Sequence, residues 1–254
     1  MARSRSRQPR VDDIAAGGFV RSVVLLRDRV PSFDIYPYCL PAVRSLETLP
    51  LHDKVTFLIG ENGAGKSTLI EAMAVAAGFN AEGGSRHFNF ATRRTESDLH
   101  QALRLIRSPR RQRTGFFLRA ESLYNVATTI DDLEVVDPYG GRSLHAQSHG
   151  ESFLALAVNR FGPEGLYFLD EPEAALSPTR QLALLALIDD HVQQRGSQFV
   201  VATHSPILMA YPDATIYQLS AEAGIQTVAY EDTEHFKLTR DFLNDRPSFF
   251  RELF

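Results

Sequence analysis

The sequence lacks the features that would place it outside the cell or in a membrane. Its 254 residues include a single cysteine, Cys39, which excludes an internal disulfide and any zinc site built from several cysteines. No apolar run reaches the roughly 18 residues that a membrane-spanning helix needs. The first ten residues carry charge but no apolar stretch, which is unlike a secretory signal. We therefore expect a cytoplasmic protein without direct membrane insertion, in which Cys39 is a buried small hydrophobe.

Composition and length favour one folded domain. Hydrophobic residues make up 44% of the chain and charged residues 23%, which is ordinary for a globular protein and excludes disorder throughout. A chain of this length can bury a full core as one α/β domain. We predict a basic disordered tail over residues 1–17 and a single domain over residues 18–254. Within that domain we predict a small helical and basic insertion at about residues 83–147.

The net charge of −4 conceals an uneven distribution of charge along the chain. Between Arg86 and Arg119 there are nine arginines and two acidic residues, whereas the residues from Ala120 onward include 8 basic and 20 acidic side chains. A basic stretch of this kind can bind the phosphates of DNA or RNA. It can equally be a solvated insertion, or a set of arginines that contact nucleotide phosphates and a partner subunit. The charge pattern alone leaves these interpretations open.

Short apolar runs and helix-forming segments alternate along the sequence. The apolar runs predict strands at residues 19–26, 54–59, 115–118, 166–169 and 198–202. Helices are predicted at residues 66–77, 97–106, 148–160 and 177–194. The last of these is expected to bury Leu182, Leu185 and Ile188 on one face. Residues 215–219 and 225–230 favour a terminal hairpin. The alternation predicts an α/β fold with a mainly parallel sheet, flanking helices and an antiparallel edge.

A glycine-rich stretch follows the strand predicted at residues 54–59. It reads Gly-Glu-Asn-Gly-Ala-Gly-Lys-Ser-Thr and fits the P-loop pattern G-x-x-x-x-G-K-[ST] between a buried strand and a helix. Its backbone amides and the helix N-terminus supply partial positive charge for phosphates. Lys66 would reach the β- and γ-phosphates, and the Ser67 hydroxyl would hold Mg²⁺. The predicted nucleotide-binding residues are Asn62, Gly63, Ala64, Gly65, Lys66, Ser67 and Thr68.

Two adjacent carboxylates, Asp170 and Glu171, end the strand predicted at residues 166–169. Ligands of such sheets bind just outside the carboxyl ends of the strands. We expect Asp170 to support Mg²⁺ in its second coordination shell. Glu171 is predicted to orient and polarise the attacking water, which together with Lys66 makes it a catalytic candidate.

A segment with serine and glycine opens the helix that leads into this acidic strand. It reads Gln-Ser-His-Gly-Glu-Ser, and Ser148 with the helix N-terminus would form a second anion site, or only an ordinary helix cap. The order of P-loop, serine-glycine helix start and acidic strand resembles the ABC-type ATPases, whose signature is usually Leu-Ser-Gly-Gly-Gln. Ser148 and Gly150 match it, whereas His149 and Glu151 replace a glycine and the glutamine. The resemblance implies that Ser148, Gly150 and Glu151 bind the γ-phosphate of ATP held by the other subunit.

The sequence Thr-His-Ser-Pro follows the last buried strand and resembles the switch histidine of the same ATPases. There, a neutral imidazole of His204 would hydrogen-bond the γ-phosphate and the attacking water, so His204 is the third catalytic candidate. The other seven histidines show no paired metal spacing, and we interpret them as surface or loop residues. They are His52, His87, His100, His145, His149, His191 and His235.

Most of residues 18–220 is similar to the soluble branch of the ABC ATPases. After the acidic pair Asp-Glu, this chain reads Pro-Glu-Ala-Ala-Leu-Ser-Pro, whereas transporter subunits usually read Pro-Thr-Ser-Ala-Leu-Asp. That branch includes the RecF and SMC heads and small bacterial ATPases of the AAA type. The resemblance implies Mg-ATP hydrolysis by a homodimer that closes head to tail on two nucleotides, with an unknown protein partner. The glutamine that usually senses Mg²⁺ in this family is missing. Glu121 and Asn89 are the two candidates for its position, and the sequence leaves the choice between them open.

Two alternatives of other classes stay open on the sequence. One is the nucleotide-binding subunit of an ABC transporter, and the other is an ATP-controlled DNA- or RNA-binding protein that uses the Arg86–Arg119 region. A P-loop kinase has no use for the Ser148 segment. A GTPase needs a guanine reader of the Asn-Lys-x-Asp type, and the chain has only three lysines, none of them in that context.

Overall fold

The structure is a computed structural model that describes residues 17–84, 97–120 and 149–254. The strands in these ranges are β1 (Val20–Leu25), β2 (Thr48–Pro50), β3 (Val55–Ile59), β4 (Leu103–Arg107), β5 (Thr114–Arg119), β6 (Gly165–Asp170), β7 (Gln198–Ala202), β8 (Thr215–Ser220) and β9 (Gly224–Thr227). The helices are α1 (Pro41–Arg44), α2 (Lys66–Ala77), α3 (Leu99–Ala102), α4 (His149–Arg160), α5 (Pro178–Gln193), α6 (Glu234–Asn244) and α7 (Arg246–Leu253).

A six-stranded sheet forms the centre, in the order β5-β6-β7-β3-β8-β9. Its first five strands are parallel, and β9 pairs antiparallel with β8 at one edge. Every residue of β3, β6 and β7 is buried, as expected for parallel strands that are covered on both faces. The predicted α/β fold with a mainly parallel sheet and an antiparallel edge is confirmed. A second, antiparallel sheet has the order β2-β1-β4.

The side chains of β3 alternate between two apolar clusters. Leu58 packs with α2 and the three-stranded sheet, whereas Phe57 and Ile59 pack on the opposite face with α4 and α5. The central sheet therefore lies between two apolar layers that cover both of its faces.

One buried side chain joins the two sheets. The side-chain oxygen of Gln198 accepts from the backbone N–H groups of Phe19 and Val20, at 2.8 and 2.9 Å. Its amide nitrogen donates to the carbonyls of Val20 and His52, at 2.8 and 2.9 Å. These bonds fix the beginning of β1 against β7.

The prediction of a helix at residues 97–106 is wrong. The helical part is only Leu99–Ala102, after which β4 pairs antiparallel with β1, Leu105 opposite Val23. Leu103 and Leu105 pack on the core cluster while Arg104 between them is exposed, so the alternation of a strand prevails over local helix propensity. Since β4 and β5 belong to the two sheets, this part of the region predicted as an insertion contributes to the core. The rest of the predicted domain division stays a prediction.

Two predictions of burial need correction. Leu182 is 58% exposed, because α5 buries the stripe of Gln181, Leu184 and Ile188 and leaves Leu185 only partly buried. Cys39 is half-buried rather than buried.

Several predicted features lie outside the described residues. They are the tail over residues 1–16, Arg86, Arg93 and Arg94, the glutamine replacements Asn89 and Glu121, and Ser148. Across residues 17–84, 97–120 and 149–254, none of the helices combines the length and the apolar character needed to cross a bilayer.

Candidate active site

The three predicted catalytic side chains meet at one edge of the central sheet. β6, β7 and β3 are parallel neighbours, so their carboxyl ends lie side by side. The acidic pair follows β6, His204 follows β7, and the P-loop follows β3. Sheet topology therefore brings Lys66, Glu171 and His204 together although up to 138 residues separate them along the sequence.

The P-loop bends closely around a small cavity. Gly60 has a φ of 142°, and a Cβ there would lie 2.2 Å from the carbonyl oxygen of Leu219 on β8, so only glycine fits. Gly65 has a φ of 95° and begins α2. Ala64 packs toward the core instead of lining the cavity. The cavity residues are Tyr36, Leu40, Asn62, Gly63, Gly65, Lys66, Ser67, Thr68 and Glu171.

The Lys66 ammonium lies inside the P-loop. Its Nζ donates to the carbonyl oxygens of Gly60 at 2.9 Å and Glu61 at 3.1 Å, and the residue is only 3% exposed. Burial lowers the pKa of Lys66, while the carboxylates of Glu171 and Asp170 oppose that shift. The cation is therefore held where a phosphate would be bound by the loop amides.

Glu171 has a left-handed backbone, with φ 48° and ψ 51°. Its N–H donates to the carbonyl of Ala202 at 2.9 Å, which ties the turn after β6 to the end of β7. A left-handed conformation is strained for a glutamate, and such residues are concentrated at functional sites. The turn directs the carboxylate into the P-loop cavity, and Oε1 lies 3.6 Å from Nε2 of His204.

Contacts on three sides surround His204. Its backbone N–H donates to Oε1 of Glu173 at 2.5 Å, and its Nδ1 lies 3.1 Å from Nε2 of His235. Burial, and then the charge of Lys66, lower the pKa of His204, so the imidazole is neutral at pH 7. Its buried Nε2 has no hydrogen-bond partner among the described residues and faces Glu171.

The oxygen groups at this edge fit Mg²⁺. The Ser67 hydroxyl lines the cavity, and the carboxylate of Asp170 is buried at the end of β6. Mg²⁺ prefers oxygen ligands and usually keeps several waters, which suits one hydroxyl and an indirectly bound carboxylate. Within the described ranges, no group of three or more His, Cys, Asp or Glu residues is placed to hold a metal ion.

The candidate signature residues lie away from the P-loop cavity. Gly150 and Glu151 begin α4, and neither lines that cavity. A Cβ on Gly150 would lie 2.8 Å from the carbonyl oxygen of Ala175, and Glu151 forms an ion pair with Arg180 at 3.1 Å. The predicted role of these residues toward nucleotide in another subunit stays a prediction.

Most described arginines of the basic region are engaged within the chain. Arg110 donates to the carbonyls of Gly17 and Gly196, and Arg113 pairs with Glu164 at 2.7 Å. Arg107 donates to the carbonyl of Ala77, and Arg119 pairs with Glu71 at 2.6 Å. These contacts give these four arginines partners within the fold, and the interpretations of the basic region as a whole stay open.

The sequence patterns gave no role at the site to four residues that the structure places there, namely Tyr36, Glu173, His235 and Arg119. Tyr36 belongs to no recognised motif, and Glu173 was noted only as part of the Asp-Glu-Pro-Glu stretch, without a role of its own. His235 was interpreted as a surface or loop residue, which is wrong because it contacts His204. The same interpretation is wrong for His191, which is 1% exposed. Arg119 was counted only as part of the basic region.

Two parts of the chain match family models. Residues 139–210 match the family described as "AAA domain, putative AbiEii toxin, Type IV TA system", and residues 38–116 match the family described as "AAA domain". The second range contains the P-loop, and the first contains Asp170, Glu171 and His204. No curated protein has a sequence that matches this chain.

Similar solved structures include an SMC head and part of an ABC transporter. The SMC head domain from Thermotoga maritima is 18% identical over 72% of this chain and 93% of that chain, with a TM-score of 0.42. The structure of cbiO1 from Clostridium perfringens, part of the ABC transporter complex cbiONQ, is 15% identical over 82% of this chain and 91% of that chain, with a TM-score of 0.45. The fold follows from the strand order and from the P-loop itself.

The predicted P-loop fold is confirmed. The P-loop after a central parallel strand, the acidic end of β6 and the two AAA-domain matches support a P-loop ATPase fold, and the ABC-type assignment stays a prediction.

Proposed function

We propose that this chain binds Mg-ATP at the P-loop cavity and hydrolyses it to ADP and phosphate. The observation that carries the proposal is the meeting of Lys66, Glu171 and His204 at one sheet edge, with Glu171 Oε1 3.6 Å from His204 Nε2. Phosphoryl transfer to water depends on positioning and on charge stabilisation, and these three groups supply both.

Each group has a separate task in this proposal. Lys66 exchanges its P-loop carbonyl contacts for phosphate oxygens and neutralises their charge. Glu171 orients and polarises the attacking water, and His204 donates a hydrogen bond to the γ-phosphate. Mg²⁺, held by Ser67 and through water by Asp170, would neutralise the charge of the phosphates.

The ring of Tyr36 is available for the base of the nucleotide. It is 64% exposed at the cavity, and its hydroxyl lies 3.1 Å from the Thr68 hydroxyl. An exposed aromatic face beside a phosphate-binding loop is suited to stacking on a base. We therefore assign to Tyr36 the role of stacking on the adenine base of ATP.

A head-to-tail homodimer would complete each site. Gly150 and Glu151 lie in the first turn of α4 and do not line the P-loop cavity of their own chain, which agrees with a role toward the nucleotide of a second copy. In a closed pair with two-fold symmetry, each copy then supplies one P-loop and one signature segment. The cytoplasmic location and the unknown protein partner remain predictions from the sequence.

Phosphate release from Mg-ATP by the purified chain tests the proposed activity. We expect the Lys66→Ala variant to lose nucleotide binding or hydrolysis, because the Lys66 ammonium is the cation that the P-loop carbonyls hold at the cavity. Lys54→Ala is the matched control, since Lys54 precedes β3 at the opposite edge of the sheet and should leave turnover unchanged. Wild-type turnover in Lys66→Ala would contradict the assignment.

Sizing of the Glu171→Gln variant with and without ATP tests the dimer. We expect it to bind ATP, to turn over poorly and to remain a dimer in the presence of ATP, because the amide cannot polarise water as the carboxylate does. Adding Glu151→Arg to this variant, at an exposed position in the first turn of α4, should prevent the dimer while leaving ATP binding intact. Hydrolysis at the wild-type rate in Glu171→Gln would show that another group activates the water.

A further inference from the structure

The C-terminal part of the chain packs against the loop that carries His204. The hydroxyl of Tyr230 donates to the carbonyl of Pro206 at 3.0 Å, and its ring packs on Phe236 in the first turn of α6. The backbone N–H of Phe236 donates at 3.3 Å to the hydroxyl of Thr233, which caps this helix. These contacts fix the beginning of α6 beside the end of β7.

At this point α6 presents His235 to His204. Nε2 of His235 lies 3.1 Å from Nδ1 of His204, with the ring centroids 5.3 Å apart. The other ring nitrogen of His204 faces Glu171. The imidazole of His204 is thus held on one side by α6 and presents its other nitrogen to the carboxylate of Glu171 on the other.

We propose that His235 is a positioning residue for ATP hydrolysis, which holds the imidazole of His204 so that an Nε2–H points at the hydrolysis site. This inference rests on the proposed function. It gives α6, which contributes no buried residue to the core, a direct connection to ATP turnover.

The geometry also selects the direction of this hydrogen bond. Burial lowers the pKa of both imidazoles, so both are neutral and one must donate to the other. A lone pair on Nε2 of His204 would face the negative charge of Glu171, whereas an N–H is attracted to it. His235 therefore donates from Nε2 to Nδ1 of His204. His204 keeps its proton on Nε2, where it can donate to a phosphate oxygen, which only accepts.

Steady-state kinetics of the full chain test this role. We expect His235→Ala to lower kcat about tenfold or more and to leave KM within about twofold, because the contact acts in the hydrolytic step. His235→Gln, whose side-chain amide can also donate to Nδ1, should recover kcat to within about threefold of the wild type. Lys237→Ala on the same helix is the control and should retain full activity, since Lys237 pairs only with the exposed Asp232 among the described residues.

Two kinetic results would overturn the proposal. One is a kcat of His235→Ala within about twofold of the wild type, and the other is a His235→Gln variant as slow as His235→Ala. Absence of turnover in the wild type would instead count against the proposed function.

Imidazole nitrogen NMR tests the hydrogen bond without turnover. In the nucleotide-free chain, we expect His204 to be the Nε2–H tautomer, and we expect its Nδ1 resonance to shift in His235→Ala. His204→Ala assigns the resonances. An Nδ1–H tautomer of His204, or His204 resonances that are unchanged in His235→Ala, would overturn the proposal whatever the activity.

Discussion

Arg119 and Asp170 lie opposite each other at the ends of β5 and β6, with Nε of the arginine 3.4 Å from Oδ2 of the aspartate. Nη1 of the same guanidinium lies 2.6 Å from Oε2 of Glu71 on α2. One arginine thus joins the acidic strand end to the helix that follows the P-loop. Its positive charge also lies beside the carboxylate that is assigned to support Mg²⁺.

Replacement of this arginine should affect both stability and the Mg²⁺ requirement. Arg119→Met leaves two largely buried carboxylates without their shared cation, and we expect it to lower the free energy of unfolding by about 2–4 kcal/mol. Because one positive charge is removed beside the ion, half-maximal ATP turnover should need a Mg²⁺ concentration about threefold to tenfold lower. Urea unfolding and Mg²⁺ titration of phosphate release measure the two effects.

Arg113→Met is the matched control for this prediction. Arg113 also pairs with a glutamate, Glu164, but its side chain is 76% exposed and lies at the other end of β5. We expect a change in stability within about 0.5 kcal/mol and an unchanged Mg²⁺ requirement. A shift of the Mg²⁺ requirement in both variants would mean that the effect is not local to Asp170.

The stacking role of Tyr36 predicts a selective effect on nucleotide binding. Tyr36→Ala should raise the Kd and the KM for ATP by roughly tenfold, since base–aromatic stacking is worth on the order of 1–3 kcal/mol. kcat should change little, because stacking is the same in the bound state and during hydrolysis. Tyr36→Phe keeps the ring and loses only the contact with the Thr68 hydroxyl, so it should resemble the wild type. An equal loss of affinity in both variants would assign the effect to the hydroxyl instead.

Local pattern was sufficient for the features that depend on neighbouring residues. The P-loop was predicted because a buried strand, a glycine-rich turn and a helix follow each other directly, and Gly78 ends α2 with a φ of 95° as a C-terminal cap should. The acidic pair was predicted because it ends an apolar strand, and ligands of parallel sheets bind just outside the carboxyl ends of the strands. His204 was predicted from the resemblance of Thr-His-Ser-Pro to the switch histidine of the ABC ATPases.

Contacts between distant segments could not be predicted in this way. β4 forms because it pairs with β1, which lies about 80 residues earlier in the chain. The residues 97–106 by themselves carry no pattern that predicts this pairing. The contact between His204 and His235 depends on a hairpin, a turn and the first turn of α6. Likewise, the buried face of α5 depends on the segments that cover it, and these bury Leu184 while Leu182 stays exposed.

The four hydrogen bonds of Gln198 predict a large loss of stability when this side chain becomes apolar. Gln198→Leu has a similar volume but leaves the N–H groups of Phe19 and Val20 without their acceptor inside the protein. Each unsatisfied buried group costs about 1–3 kcal/mol, so we expect a loss of about 2–5 kcal/mol in urea unfolding. Gln226→Leu, on the exposed face of β9, is the control and should change stability by less than about 0.5 kcal/mol. Equal stabilities of the two variants would mean that β1 is not held by this side chain.

His191 predicts a dependence of folding stability on pH. This imidazole is 1% exposed and packs edge-on against Phe161, with ring centroids 5.8 Å apart. Burial, followed by the nearby charge of Arg195, lowers the pKa of His191 in the folded chain. The unfolded chain therefore binds a proton at about pH 6.5 while the folded chain does not, and stability is lost as the pH falls from about 6.5 toward the lower folded-state pKa.

The His191→Phe variant isolates this contribution because it keeps an aromatic ring and removes the titrating group. The other histidines and carboxylates are common to both chains, so they cancel when the two free energies of unfolding are subtracted at each pH. We expect that difference to be constant above about pH 7 and to move in favour of the variant as the pH falls toward 5. A difference that stays constant from pH 7 to pH 5 would mean that the imidazole is protonated equally in the folded and unfolded chains.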